Sequence, residues 1–195
     1  MNRRTAILHA AEELFAERGY DGTSTSAIAE RAGVAHGTVF HHFRTKENLL
    51  LELAETLTRS YVEGLERLSP AGGSGWEILE RAVRYHFAFM RDYDRGIVVL
   101  VQESSRIFGT AVGAGRSAEG LRRSIAAIHE IRRSILVQGM ADGSIQQVPL
   151  EGTVFLLGSI LGGIVNLKAR GWMDVPLDLE ETAVVFCRRS LSSSG

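Results

Sequence analysis

The chain has 195 residues, of which 45% are hydrophobic and 23% are charged, and its formal net charge at pH 7 is −1. This length allows one good core or two small ones, and the charge excludes a globally polybasic nucleic-acid binder but not local phosphate contacts. The single cysteine, Cys187, excludes an intrachain disulfide, and the N-terminus carries no secretory signal. We therefore expect a soluble, cytoplasmic protein.

The first predicted helix covers residues 3–18, where apolar residues recur at the spacing of an amphipathic helix. Gly19 follows it and belongs to the residue type that ends helices at the lowest conformational cost. Glutamates occupy the opposite side of the predicted helix. Its inward face consists of Ile7, Ala11, Leu14 and Phe15.

Residues 24–48 predict two short helices, a tight turn and the start of a third helix. Ser24 can cap the first of them, and Gly33 ends it, because glycine readily adopts positive φ. The second short helix runs over residues 36–43, with Val39 and Phe43 four residues apart and facing inward. Helix, turn and short helix make a helix-turn-helix motif, whose second helix enters the major groove of DNA.

The outer side of this motif is the predicted DNA-binding surface. We expect the recognition-helix side chains nearest the groove to read bases and the flanking ones to contact phosphates. Lys46 begins the next helix and is either a solvated lysine or a phosphate ligand aided by the helix dipole. Arg3 and Arg4 carry the same two interpretations. The predicted DNA-binding residues are Ser24, Thr25, Ser26, Ala35, His36, Gly37, Thr38, Phe40, His41 and Lys46.

This stretch resembles the N-terminal domain of TetR-type transcriptional repressors, whose usual pattern is AGVSxGxΦYxHFxσKExL, with Φ aliphatic and σ small. Ala35 stands where serine is common and cannot cap the recognition helix, and Phe40 stands where a tyrosine hydroxyl often reaches a phosphate. The resemblance implies an all-α homodimer of about nine helices per chain. It implies a helix-turn-helix domain over residues 1–47 and a ligand-binding and dimerisation domain over residues 48–195. The pattern is met at Ala32, Gly33, Val34, Gly37, Val39, His42, Phe43, Thr45, Lys46, Glu47 and Leu49.

The remaining chain predicts further helices separated by glycine- and proline-containing loops. The run IVVLV at 97–101 favours a strand by composition, but no second strand of comparable strength exists to pair with it, so we predict a helix. The glycine-rich segment 109–120 lacks the Gly-Lys-Ser/Thr ending of a P-loop and is predicted to be a mobile loop. The predicted helices are 46–65, 76–93, 95–108, 117–141, 150–170 and 178–191.

A small-molecule effector is expected between the helices of residues 76–170, where it would change the spacing of the two DNA-binding heads and release DNA. Aromatic and methionine side chains crowd the helix 76–93 more than a two-sided helix requires. Each candidate taken alone is equally well explained as core, and their mixture favours a mostly apolar ligand. The predicted lining is Tyr85, His86, Phe89, Met90, Gln102, Ile107, Phe108, Ile128, His129 and Trp172.

The last two predicted helices are the candidate subunit interface. Residues 152–167 contain no charge, yet sixteen residues fall short of the roughly twenty that span a bilayer, so we predict no membrane segment. Glycines within this run permit the close approach of another helix, and two helices per subunit would form a four-helix bundle. The predicted interface residues are Phe155, Gly158, Ser159, Gly162, Leu179, Ala183 and Phe186.

Two other classes of function were compared with a DNA-binding regulator. A helical enzyme lacks support, because no Gly-x-Ser-x-Gly or His-Glu-x-x-His motif and no nucleophile–base set is present. A metal-responsive sensor would use His36, His41 and His42, with His9 nearby. Adjacent residues on a helix point about 100° apart, so His41 and His42 make a poor chelating pair. We predict no cofactor and no metal.

Overall fold

The computed structural model describes residues 2–68, 72–111, 116–171 and 178–193. Within these ranges the chain forms ten α-helices and no strand, apart from an isolated antiparallel bridge between Ile145 and Ser192. The all-α prediction is therefore confirmed. The helices are α1 Arg3–Arg18, α2 Thr25–Arg31, α3 His36–Phe43, α4 Lys46–Glu66, α5 Gly75–Asp92, α6 Asp94–Gln102, α7 Ser104–Ala111, α8 Arg116–Asp142, α9 Leu150–Ala169 and α10 Leu179–Leu191.

The predicted single helix over residues 95–108 is wrong in its continuity, because the structure has two helices, α6 and α7. The break falls at Glu103, whose backbone leaves helical geometry at φ −97° and ψ 13°. Its carboxylate accepts a hydrogen bond from the backbone N–H of Tyr20 at 3.4 Å. The IVVLV run is helical as predicted. Residues 112–115, within the segment predicted to be a mobile loop, lie outside the described residues.

The chain divides into two compact units. The first comprises Met1–Arg59 with Tyr93–Arg123, and the second comprises Ser60–Asp92 with Ser124–Gly195. In the first unit α6 packs against α1, and α1, α2 and α3 pack against one another. The predicted domain boundary at residue 47 stays a prediction, and it would place α6 and α7 with the later helices.

The core of the first unit follows from the amphipathic pattern of its short helices. Asn2 caps α1 by accepting the Thr5 N–H at 2.8 Å, and Gly19 ends this helix at φ 71°. Phe43 and Val39 of α3 are buried, as the four-residue spacing predicts. The predicted inward face of α1 is confirmed, since Ile7, Ala11, Leu14 and Phe15 are all buried.

The second unit has a separate core built from α5, α8, α9 and α10. Its helices begin with local caps, because Asp178 accepts the Glu181 N–H at 3.0 Å and Glu77 accepts the Ser74 N–H at 2.7 Å. The largest side chains of this core are Trp76, Phe87, Met90, Leu136, Ile145, Leu157 and Leu161.

Helix α9 combines an apolar sequence with little burial. It has 20 residues, and by length and composition alone it is long and apolar enough to cross a membrane. Only 17% of its apolar window is buried within the described chain. The prediction that residues 152–167 are too short to span a bilayer therefore does not apply to the whole helix. Most of the apolar surface of α9 is therefore exposed in the described chain.

Candidate DNA-binding surface and effector site

The helix-turn-helix motif presents the outer side of α3 to solvent. The Ser24 hydroxyl accepts the Ala27 N–H at 3.1 Å and so begins α2. Ala35 precedes α3 without a side-chain cap, as its apolar side chain predicts. Because Val39 and Phe43 turn inward, Phe40 is left 60% exposed on the opposite side of the helix. This α3 surface has the shape of a recognition helix.

The predicted recognition residues are partly linked to one another. His36 Nε2 lies 3.1 Å from the Thr25 hydroxyl, which joins the start of α3 to the start of α2. His41 and Ser26 are exposed, while Thr38 is partly buried. The imidazole of His36 therefore has one nitrogen fixed within the protein and its other edge available to a base. Ser24, by contrast, uses its hydroxyl as a cap.

An open cleft of about 650 Å³ lies beside α3. It is bordered by the start of α1 and carries two arginines, Arg3 and Arg4. Arg4 already has partners within the protein. Its guanidinium pairs with Glu52 and lies 5.6 Å from the centre of the Phe43 ring. Arg3 is exposed and is the better placed of the two for a phosphate. The remaining lining is Asn2, Gly37, Thr38, His41 and His42.

Lys46 has a structural role that its sequence context did not indicate. Its ammonium donates to the carbonyl oxygens of Tyr20 and Thr23, both at 2.8 Å, and lies 4.2 Å from the centre of the Tyr20 ring. The Arg106 guanidinium also lies over that ring, 4.4 Å from its centre. Lys46 thus holds the turn between α1 and α2, and its contact with a phosphate stays a prediction.

The second unit contains a small cavity lined by α4, α5, α8 and α9. Its volume of about 20 Å³ has room for about one water molecule. Arg132 and Tyr61 provide its polar atoms, and the other lining residues are apolar. Those apolar residues are Leu65, Leu79, Ala82, Val83, Ile131, Ile135, Leu157 and Leu161.

A short chain of polar groups runs from this cavity into the core. The Tyr61 hydroxyl lies 3.0 Å from His86 Nδ1 and is hydrogen-bonded by the Arg132 side chain. Burial raises the pKa of Tyr61 to about 12 and lowers the pKa of His86 to about 4, where the nearby Arg132 charge acts in the same direction. The Leu161 carbonyl favours the protonated ring, yet His86 Nε2 completes no hydrogen bond within the described residues. At neutral pH His86 is therefore an uncharged ring.

Comparison with known families bears directly on the helix-turn-helix motif. Residues 7–53 match the family model described as bacterial regulatory proteins, tetR family. The matched segment contains α1, α2, α3 and the first turns of α4, the same elements that form the exposed recognition surface. Residues 7–53 thus carry the DNA-binding domain of the tetR family. The resemblance to TetR-type transcriptional regulators stated from the sequence is confirmed.

Relatives outside this motif extend the similarity. The fatty acid metabolism regulator protein of Bacillus subtilis is 29% identical over 145 residues, which cover 72% of this chain and 70% of that protein. The HTH-type transcriptional repressor Rv3405c of Mycobacterium tuberculosis is 43% identical over 81 residues, covering 42% of this chain and 40% of that one. The structure of FadR from Bacillus subtilis in complex with stearoyl-CoA superposes with a TM-score of 0.70 at 24% identity, covering 94% of this chain and 96% of that one. The last comparison shows a shared fold.

The effector-site residues predicted from the sequence are distributed over both units. Tyr85, His86 and Phe89 form one aromatic group with Tyr61, whose ring centre lies 5.5 Å from that of Tyr85 and 5.1 Å from that of Phe89. Tyr61 itself lines the cavity, whereas none of the predicted residues whose side chains the structure describes does so. The others have separate surroundings. Met90 and Ile107 are buried, Ile128 is partly buried, Gln102 and His129 are exposed, and Trp172 and the side chain of Phe108 lie outside the described residues.

The predicted interface residues separate into two groups. Phe155 is 67% and Phe186 is 53% exposed, and Ser159 and Gly162 are also exposed. Ala183 and Leu179 instead pack into the core of their own subunit. Gly158 also faces inward, because a Cβ at this position would lie 2.8 Å from an Arg132 guanidinium nitrogen. Four further apolar residues on α9 and α10 are exposed and were not among the predicted ones: Leu156, Ile160, Leu167 and Val185. The first three recur at helical spacing along α9, a signal that was available in the sequence.

The metal-sensor alternative gains no support from side-chain placement. Across residues 2–68, 72–111, 116–171 and 178–193, no group of three or more His, Cys, Asp or Glu side chains is placed to hold a metal ion. His41 and His42 have ring centres 5.4 Å apart with planes inclined at 75°.

Burial of neutral His86 predicts a pH-dependent stability. Its pKa is near 6.5 when unfolded and about 4 when folded, so between these values the unfolded chain binds more protons. Stability is therefore complete above pH 6.5 and is lost as the pH falls toward 4. We expect the free energy of urea unfolding to decrease between pH 7 and pH 4 by about 3 kcal/mol less in His86→Gln than in the wild type. His129→Gln, at an exposed histidine of α8, is the control, and an equal effect of both substitutions would contradict the assignment.

Proposed function

We propose that this protein is a ligand-responsive repressor that binds a palindromic DNA operator as a homodimer. The observation that carries this proposal is the exposed outer side of α3, with Val39 and Phe43 buried beneath it and the arginine-bordered cleft beside it. One protomer supplies one recognition helix, which reads only a half-site. A twofold dimer supplies two, for half-sites about one turn of DNA, roughly 34 Å, apart. Its DNA target places the protein in the cytoplasm.

A second copy of the chain is the proposed cover for the apolar surface of α9 and α10. We name this surface the α9–α10 face, and it is wide enough to supply two helices per subunit to a four-helix bundle. Exposed aromatic and aliphatic residues of this kind are uncommon on a monomeric soluble protein when they are contiguous. The α9–α10 face consists of Phe155, Leu156, Ile160, Leu167, Val185 and Phe186.

The proposed effector is a fatty acyl compound, free or as its coenzyme A thioester. Two similarities support this class: the relative named as a fatty acid metabolism regulator, and the FadR structure that holds stearoyl-CoA. The cavity beside Arg132 supports it too, because its lining is apolar apart from two polar side chains. Release of DNA requires that the effector bind the DNA-incompetent state more tightly, and a 100-fold preference corresponds to about 2.7 kcal/mol.

Operator binding tests the proposal, using a duplex selected from random sequence and fluorescence anisotropy as the measurement. We expect log affinity to fall linearly with log salt, with a slope near −0.9 per phosphate contact, and acyl-CoA to release the duplex. His36→Ala should alter the preferred bases. Thr25→Val is its control, because it removes only the hydroxyl that fixes the ring.

Equal affinity of the protein for all duplexes, without dependence on salt, would contradict the DNA-binding proposal. Selective and salt-dependent binding that no acyl compound weakens would retain the repressor and exclude the effector class. If the His36→Ala and Thr25→Val variants prefer the same bases, His36 positions α3 and does not read a base.

A further inference from the structure

Arg132 is a cation beside an apolar cavity without a carboxylate partner in the described part of the chain. The neighbouring Arg133 pairs with Glu151 at 3.0 Å, and Arg84 and Arg91 pair with glutamates at distances of 2.8–3.6 Å. Arg132 instead reaches the neutral hydroxyl of Tyr61. A partly buried guanidinium gains most from an anionic partner, since charge-assisted hydrogen bonds are about twice as strong as neutral ones. Within the described residues its strongest type of partner is thus missing.

The surroundings of Arg132 keep its guanidinium at the cavity. A Cβ at Gly158 would lie 2.8 Å from guanidinium nitrogen Nη1, so the group lies against α9 at this glycine and a larger residue there would shift it. On its other side, the Tyr61 hydroxyl is held by Nδ1 of His86, which is 91% buried. The neutral state of His86 adds no second positive charge. These contacts fix the position of Arg132 without neutralising it.

We propose that Arg132 binds the anionic head group of the effector while the apolar chain of that effector occupies the adjoining cavity. This inference rests on the proposed function and adds to it the residue that recognises the ligand. The head group is a carboxylate in a free fatty acid and a phosphate in an acyl-CoA, and a guanidinium forms bidentate hydrogen bonds with either. Arg132 is partly exposed, so the charged head approaches it from solvent.

The size of the cavity adds a conformational requirement. With room for about one water molecule, it accepts an acyl chain only after lining side chains from α4 and α8, such as Tyr61 and Ile131, move apart. An acyl chain therefore requires a wider arrangement of these helices than the one described. Binding energy at Arg132 and along the apolar lining would stabilise a wider arrangement of these helices, which is the differential affinity that a switch requires.

Direct binding of defined probes to the full-length protein tests this assignment. The probes are decanoate, decanoyl-CoA, coenzyme A alone and uncharged 1-decanol, measured by isothermal titration without DNA. We expect Arg132→Gln, which retains a donor for Tyr61, to weaken binding of the anionic probe about 10- to 100-fold and that of decanol less than about twofold. Arg133→Gln is the matched control and should leave all affinities unchanged. Gly158→Ala provides a second route, because it retains the arginine and displaces it.

The outcomes separate the anchor from the wider proposal. Tighter binding of decanoate than of decanoyl-CoA identifies a carboxylate head, and the reverse order with measurable binding of coenzyme A identifies a phosphate head. Either result supports Arg132 as the anchor when Arg132→Gln weakens binding of that anionic probe and Arg133→Gln does not. Unchanged anion affinity in both Arg132→Gln and Gly158→Ala overturns the anchor while the acyl effector stands. Failure of the wild type to bind any probe overturns both. Arg132-dependent binding that leaves a labelled operator bound supports the anchor and contradicts the proposed repressor response.

Discussion

Replacing Phe155 by glutamate is expected to yield a folded monomer that binds its operator at least about 100-fold more weakly. Phe155 is 67% exposed in the single chain, so the substitution removes little from the core of the subunit. In a dimer the same position would bury an uncompensated carboxylate, and disruption of a central aromatic contact costs about 2–4 kcal/mol. A monomer offers a single recognition helix and loses the second half-site.

Analytical ultracentrifugation in detergent-free buffer measures the change in assembly, and anisotropy with the selected operator measures the change in affinity. Val137→Glu is the control, because Val137 is 41% exposed and lies on α8, outside the α9–α10 face. A wild-type protein that sediments as a monomer at micromolar concentration would exclude the dimer. Binding of the wild-type α9–α10 face to vesicles in place of a second copy would assign that surface to a membrane.

The helix-turn-helix motif could be predicted from the sequence because its determinants are local. The inward pair of α3 lies four residues apart, the serine directly before α2 caps that helix, and Gly33 takes φ 65° in the turn. Each of these features depends on neighbours within a few residues. The bounds predicted for α1 and α3 accordingly agree with those in the structure.

The proposed effector site was harder to predict, because the residues of its cavity come from four helices that are distant in sequence. Tyr61 and Arg132 meet at one cavity although more than sixty positions separate them, and no periodicity records such a contact. The aromatic pattern of α5 correctly marked an unusual helix, yet Tyr85 and His86 contact Tyr61 and do not line the cavity. Gly158 illustrates the same limit. It lies against the Arg132 guanidinium within the chain, a contact that the glycine pattern does not indicate, and its place in a subunit interface stays a prediction.

Glu103 shows how a tertiary contact overrides a continuous helical pattern. The segment from Asp94 to Ala111 has no proline, and its apolar residues continue on both sides of the break. The break coincides with the contact between the Glu103 carboxylate and the backbone N–H of Tyr20, in the turn that Lys46 also holds. Arg106, one turn later, pairs with Glu103 and Asp21. The turn after α1 is thus held by charged groups that come from two other places in the sequence.

Lys46→Ala is expected to destabilise the first unit by about 2–3 kcal/mol, with loss of operator binding as a consequence. The ammonium donates two hydrogen bonds of 2.8 Å to carbonyls and stacks on the Tyr20 ring, and each bond from a charged donor is worth about 1.5–3 kcal/mol before partial exposure reduces it. Alanine leaves both carbonyls without this donor and frees the turn that positions α2. The free energy of urea unfolding, followed by circular dichroism, measures the loss.

The same variant distinguishes this structural role from the phosphate contact predicted by the sequence. A lysine that only contacts a phosphate leaves the stability unchanged when it is removed, weakens binding to all duplexes alike and reduces the salt slope by about one. A lysine that holds the turn lowers the free energy of unfolding, and Lys46→Arg restores part of it. Lys168→Ala, at an exposed lysine of α9, is the control for the loss of one positive charge. Unchanged stability together with a reduced salt slope would assign Lys46 to the DNA backbone, because the two carbonyls would then have no need of it.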